Sequence, residues 1–208
     1  MSLIAKFDSE NTERELPSIG VYQAVCVWVI DMGMQESTYM GVTKLKRKLK
    51  LSFELCGSKM KDGRPFLVSA QHTLTLAPMG NLKPFLENWR GRAFTAEEMS
   101  GFDMKNILGA PCQINVIHNQ SEDGQNTYAN IGSIMPLAQG APKPLHSNEL
   151  IFYSTEEHDE AMFQKIPEGI RSRINRPAPA TNSFAPPQEQ VSSPANPAPE
   201  FEDDDIPF

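Results

Sequence analysis

Lys44-Leu45-Lys46-Arg47-Lys48-Leu49-Lys50-Leu51-Ser52-Phe53-Glu54-Leu55 is the stretch on which the fold turns. Its period is two. Lys44, Lys46, Lys48 and Lys50 share one face, while Leu45, Leu49, Leu51 and Phe53 share the other, the pattern of a half-buried strand. Upstream, residues 20–32 carry Val21-Tyr22-Gln23-Ala24-Val25-Cys26-Val27-Trp28-Val29-Ile30, rich in β-branched and aromatic side chains. Apolar on both faces, this run predicts a strand buried on both sides or strongly bent. Residues 33–42 between the two strands read as a loop, with Tyr39 and Met40 near its far end. Downstream, Lys61-Asp62-Gly63-Arg64 predicts a turn into a third strand over 66–76. There Phe66, Val68, Ala70 and Leu74 point one way, and Ser69, Gln71, Thr73 and Thr75 the other.

Beyond residue 80 the period lengthens. Leu82, Phe85, Leu86 and Trp89 fall at helical spacing, with Asn81 as candidate cap and Gly91 as terminator. Trp89 is thereby placed in the core. Thr95-Ala96-Glu97-Glu98 is a capping-box pattern, and Asp103 heads a further short helix that Gly109 closes before Pro111. Residues 111–119 and 127–135 read as two more strands joined around Glu122-Asp123-Gly124, a good hairpin turn. Three strands, a helical insert and two strands is the order of the five-stranded Greek-key OB barrel, and of other small α+β folds. A Pro/Gly linker follows residue 136. Ser154-Thr155-Glu156-Glu157 offers a capping box for a helix with Met162, Phe163 and Ile166, and residues 167–175 for a second with Ile170 and Ile174.

The expected fold class is therefore mainly β with some helix (α+β). It comprises a five-stranded OB-type barrel, a helical insert between strands three and four, a C-terminal helical appendage and a disordered acidic tail. The boundaries are a flexible arm over 1–18, the barrel over 19–136, linker and appendage over 137–176, and a Pro-rich tail over 177–208. The tail holds eight prolines in 32 residues and has little apolar material to bury.

Charge is unevenly placed. Six of the 26 acids and none of the 19 bases lie in the tail, leaving 20 acids against 19 bases elsewhere. The acidic whole-chain balance thus says nothing against a body that binds a polyanion. Four alternating lysines repel one another unless an anion neutralises them, and a phosphodiester backbone along the strand would gain affinity by releasing counterions. Arg47, Lys59, Lys61 and Arg64 extend this cationic set. A solvated edge strand protected by lysine is the competing reading. A single strand also requires flat rings on which bases stack. Tyr39, Tyr128 and Trp28 are the candidates, in that order. The loop over 119–126 would lie beside them.

The tail ends in Asp203-Asp204-Asp205-Ile206-Pro207-Phe208, acids followed by an apolar tip. Basic residues and an apolar pocket on a partner could read such an end, together with the carboxylate of Phe208. Catalytic and nucleotide-binding signatures are missing: there is no G-x-x-x-x-G-K-[ST], H-E-x-x-H, G-x-S-x-G or G-x-G-x-x-G. His72, His118, His146 and His158 are scattered, so neither metal nor cofactor is expected. Cys26, Cys56 and Cys112 are odd in number and widely spaced, which fits free thiols in a reducing cytoplasm. No signal pattern or membrane-length apolar run is present.

Asp-Asp-Asp-Ile-Pro-Phe is identical to the tip of bacterial single-stranded DNA-binding proteins. The body lacks their opening Asn-Lys-Val-Ile-Leu-x-Gly-Asn-Leu type of strand. Residues 22–26 (Tyr-Gln-Ala-Val-Cys), 89–94 (Trp-Arg-Gly-Arg-Ala-Phe), 101–109 (Gly-Phe-Asp-Met-Lys-Asn-Ile-Leu-Gly) and 127–131 (Thr-Tyr-Ala-Asn-Ile) instead resemble a tailed-phage single-stranded DNA-binding family with an OB fold. The resemblance spans about residues 15–176. It implies a non-catalytic phage replication or recombination protein in the bacterial cytoplasm, coating single-stranded DNA without sequence preference. Through the tip it implies recruitment of replication, recombination and repair proteins. In the bacterial family those include an exonuclease, a recombination mediator, the primosome helicase and a clamp-loader-associated subunit. A protein-binding adaptor carrying the tip alone, or a metal-dependent processing enzyme, remain the alternatives.

Overall fold

The lysine strand lies inside an antiparallel sheet. A computed structural model describes residues 15–121 and 123–174, with Tyr39 described by its backbone alone. The first strand, β1, runs Gly20–Tyr39 and pairs antiparallel with β2, Val42–Lys59. β2 in turn pairs with β3, Pro65–Thr73. Two helices, α1 (Leu82–Arg90) and α2 (Ala96–Ser100), and a 3-10 turn over Met104–Ile107 separate β3 from β4, Pro111–Gln120. β5, Thr127–Met135, pairs with β4, and the hydrogen-bonded order is β3-β2-β1-β4-β5. β3 and β5, the two ends of that order, also lie close to each other. A short β6, Ile151–Tyr153, adds parallel to β1 at Trp28–Ile30, and helices α3 (Glu160–Lys165) and α4 (Glu168–Arg171) follow. The architecture is mainly β: an open antiparallel sheet with few helices. No helix among the described residues is long and apolar enough to cross a membrane.

Two apolar clusters hold these elements. In the first, Leu51, Phe53 and Leu55 of β2 meet Ala24, Cys26 and Val29 of β1, Ile114 and Val116 of β4, and Leu82, Leu86 and Trp89 of α1. Trp89 sits edge-on to Phe53 at 5.2 Å, and its Nε1 donates to the Pro111 carbonyl at 3.0 Å. The core placement of this indole is borne out. Gly91 ends α1 at φ 68°, where a Cβ would lie 2.8 Å from Pro136, so no other residue fits without movement. Asn81 occupies the cap position in helical geometry and makes no side-chain capping bond, contrary to expectation. Thr95 and Glu98 do form the reciprocal capping box, and Asp103 accepts from the Lys105 amide. The second cluster joins Ile30, Met32, Ile151, Tyr153, Ile166 and Ile174, with Trp28, Phe163 and Ile170 against it. Two clusters on opposite faces of β1 explain why that strand is apolar on both sides. Cys26, Cys56 and Cys112 are free thiols, and burial pushes the Cys26 and Cys112 thiols far up.

Three expectations need correcting. The predicted loop over 33–42 does not exist: β1 continues to Tyr39 and turns through Met40 and Gly41, at φ 49° and 75°. Two left-handed residues make the tight hairpin turn whose twist matches the flanking strands. The result is a two-stranded ribbon with no core beneath its outer part. Leu45, expected in the core, is accordingly 62% exposed there. The helix expected after Ser154-Thr155-Glu156-Glu157 begins only at Glu160, capped by Asp159. Ser154 Oγ does accept from the Glu156 and Glu157 amides, at 3.3 and 3.4 Å, but the turn does not continue as helix, and the amide and hydroxyl of Thr155 within it both donate to Asp31. The second helix is likewise shorter than residues 167–175, covering only Glu168–Arg171. Residues 1–14 of the expected arm, Glu122, residues 175 and 176 and the whole tail over 177–208 lie outside the described residues.

Candidate nucleic-acid interface

β2 remains unbroken through its pairing with β1, so the alternation of its lysines survives in the fold. Lys44, Lys46, Lys48 and Lys50 register opposite Ser37, Gln35, Gly33 and Ile30. Four residues spaced by two cover about 20 Å at a rise of roughly 3.3 Å per residue. Lys44 and Lys46 are exposed on the ribbon; Lys48 and Lys50 are half-buried at its root. Lys48 Nζ donates to Thr73 Oγ1 at 2.9 Å, which fixes its head over the β2–β3 pair.

Past Lys50 the same face changes character. Ser52 Oγ and Ser69 Oγ share a hydrogen bond of 2.8 Å, and Glu54 is 2% exposed. A buried carboxylate needs donors, and Glu54 has three: the amides of Ser147 (2.7 Å) and Asn148 (2.8 Å), and Asn148 Nδ2 (2.7 Å). The linker after β5 thus covers the end of the lysine face.

A groove of about 1070 Å³ opens between β3 and β5. Lys50, Arg64, Ser69, Asn119, Asn130 and Tyr128 line it, and Glu15, Leu16 and Pro17 form a wall. Tyr128 is 42% exposed and registers opposite Asn119. Of the predicted residues, the structure brings Lys50, Arg64 and Tyr128 around this one groove. Arg64 arrives already paired, its guanidinium 2.6 Å from Asp62, and that bond raises its affinity for its proton while lowering that of Asp62. Lys59 and Lys61 are exposed at the adjoining turn, where the Lys61 amide donates to the Glu15 carboxylate at 3.0 Å.

Three predicted residues are placed elsewhere. Arg47 alternates with the lysines and therefore faces the other way, where its guanidinium meets Asp31 at 2.6 Å and Glu156 at 2.5 Å. It leaves the lysine row and becomes part of the scaffold. Trp28 is half-buried against the second cluster and is not among the groove residues. The backbone of Tyr39 closes the ribbon opposite Val42, and its ring is outside the described residues. So are Asp203, Asp204, Asp205, Ile206, Pro207 and Phe208.

The sequence reading missed Asn130 and the wall over 15–17. The signal for Asn130 was present, since it alternates with Tyr128 on β5. His72 was passed over as well. Its ring packs 4.4 Å from Phe85, and burial, then the nearby Lys48 charge, push its pKa down, so it is neutral at pH 7. A smaller cavity of about 430 Å³ beside α1 holds Arg90, Arg92 and Glu98. Arg90 lies 4.4 Å over Phe94 and 5.2 Å over Phe102, and Glu98 accepts from both arginines. Among the described residues no group of three or more His, Cys, Asp or Glu side chains is placed to hold a metal ion. No family model matches the chain, and no curated protein matches it.

Proposed function

We propose that this chain is a non-catalytic protein that coats single-stranded DNA without sequence preference, built on an OB-type barrel. The strand order β3-β2-β1-β4-β5, helices between β3 and β4, and the approach of β3 to β5 suit that five-stranded Greek key. The observation that carries the reading is a row of four lysines running along β2 into a groove that also holds an exposed tyrosine. Phosphates would follow Lys44, Lys46, Lys48 and Lys50. Bases would turn toward Tyr128, with the amides of Asn119 and Asn130 beside it. Charge on the backbone side and a ring on the base side give binding that any base sequence can satisfy.

Glu54 supports the division. Its negative charge lies on the lysine face, yet three donors and the 147–148 segment withdraw it from an approaching phosphate. The tip at 203–208 would recruit replication, recombination and repair proteins through its acids and its apolar residues. The resemblance of the body to the tailed-phage family supports a role in phage replication or recombination inside the bacterial cytoplasm.

Titration of short single-stranded and duplex oligonucleotides by fluorescence anisotropy, at several salt concentrations, tests the reading. Single strands should bind much more tightly. Four phosphate contacts at about −0.7 each predict a log–log salt slope of roughly −3. Equal affinity for duplex, or no binding at low salt, would favour the adaptor reading. That second reading draws on the ribbon, where Met40, Val42 and Leu45 are exposed apolar residues suited to a protein partner.

A further inference from the structure

β1 bends where its register slips between Asp31 and Gly33, one extra residue being accommodated at Met32. Such a bulge re-aims the strand beyond it, here the ribbon that carries Lys44 and Lys46. The bend is held by a carboxylate that the sequence reading gave no role. Asp31 is 3% exposed and fully occupied. Its Oδ1 accepts from the Gly33 amide at 2.9 Å, across the bulge itself. Its Oδ2 accepts from Arg47 Nη2 at 2.6 Å and Nε at 3.1 Å, on the opposite strand of the ribbon. The same oxygen takes the Thr155 amide at 3.0 Å and the Thr155 hydroxyl, from the segment after β6. Arg47 reaches on to Glu156, so the lock spans both ribbon strands and the appendage. A second tether lies close by: Gln35 Nε2 donates to the Arg173 carbonyl at 2.9 Å and the Met32 carbonyl at 2.7 Å.

From this geometry we infer that Asp31, Arg47 and Thr155 are positioning residues: they brace the ribbon so that Lys44 and Lys46 continue the track begun by Lys48 and Lys50. The inference rests on the single-strand reading above for its purpose, though the brace itself can be measured without DNA. A two-stranded ribbon with no core beneath it has little stability of its own and takes its direction from its root. Burial alone would raise the Asp31 pKa, but the bonds from Arg47, Thr155 and Gly33 overcome it and hold the carboxylate ionised. A buried charge with five donors tolerates one arrangement of its partners, so its loss frees the ribbon to swing.

The test uses the full chain with Asp31→Asn, and separately Thr155→Val, which keeps shape and removes one donor. Hydrogen exchange without DNA should quicken at ribbon amides 34–47 and stay unchanged in α1 and β4. Binding to a short oligothymidylate should show a salt slope shallower by about 1.4, the loss of two contacts at about 0.7 each. Adding Lys44→Ala and Lys46→Ala to Asp31→Asn should then cost nothing more, although the same pair in the unaltered chain costs the full 1.4. Should Asp31→Asn fail to fold, Thr155→Val and Gln35→Ala carry the same readouts. Unchanged ribbon exchange, or an unchanged slope in a folded variant, overturns the brace. Failure of the unaltered chain to bind the oligonucleotide overturns instead the reading on which its purpose rests.

Discussion

Replacing Lys46, Lys48 and Lys50 together by Ala is the perturbation that bears most directly on the interface. Each occupies the same face of β2, and none belongs to either apolar cluster. If each neutralises one phosphate of a single strand, the salt slope should lose about 0.7 per lysine, or roughly 2.1 in all. Between about 0.1 M and 1 M salt that slope corresponds to about two decades of affinity, near 3 kcal/mol. The variant should therefore bind about a hundredfold more weakly at 0.1 M and converge on the parent at 1 M, where counterion release yields little. Anisotropy titrations across the range measure both numbers. Removing Lys48 also deprives Thr73 of its partner, a cost of about 1 kcal/mol or less for a half-exposed hydroxyl, so melting should change little. A variant that melts normally yet keeps the parental slope would refute the phosphate track. Equal weakening at every salt concentration would mean that the lysines act through packing.

Tyr128→Ala should weaken single-strand binding by about 1–3 kcal/mol while leaving the salt slope unchanged, because stacking releases no counterions. Tyr128 is 42% exposed, so thermal melting should move little; loss of folding would place the ring in the core. Glu98→Gln should leave a chain less sensitive to acid. Bonds from Arg92, the Thr95 amide and Arg90 hold the Glu98 carboxyl at about 2, so its contribution is complete above about 4.5 and fades as pH falls toward 2. Melting followed across that window should show a shallower acid limb in the variant, and identical limbs would discount the pairing. Deleting 203–208 should preserve single-strand binding, or strengthen it modestly at low salt, while abolishing capture of host replication and repair proteins. Equal capture by both forms would remove the recruiting role.

The strands of the sheet were legible because alternation is a local property. β2, β3, β4 and β5 fall close to where period-two patterns and turn residues put them, and α1 follows its apolar spacing. What escaped depends on partners remote in sequence. Gly33 and the polar run to Thr38 read as loop, and become strand only because residues 42–48 pair with them. Ser154 reads locally as the cap of a helix, but the turn it begins is tied to Asp31, 124 positions from Thr155, whose amide and hydroxyl it takes. Glu54 is an acid in an apolar run, with no hint in sequence that Ser147 and Asn148 supply its donors. β6 is three residues long, too short for periodicity to register. The candidate site divides the same way. Its lysine row is one strand's alternation and could be read directly, whereas Asn130 and the wall over 15–17 join it only through the closeness of β3 to β5.

One face of β2 does two jobs, and the division between them falls where the sheet changes its neighbours. From Lys44 to Lys46 the strand pairs with β1 alone, so its face meets solvent and can carry charge without desolvation. From Lys48 onward β3 joins the other edge, and the side chains shorten or find partners: Lys48 on Thr73, Ser52 on Ser69, Glu54 on the linker. A cation at position 54 would find those three donors aimed at it, so the fold calls for a hydrogen-bond acceptor there. Reversing that charge by Glu54→Lys would bury an ammonium against N–H groups, at a cost of several kcal/mol. The lysine track can thus extend outward along the ribbon but not inward along the strand. On the proposed single-strand reading, the length of the ribbon and the brace at its root would then set how much of a strand the face engages.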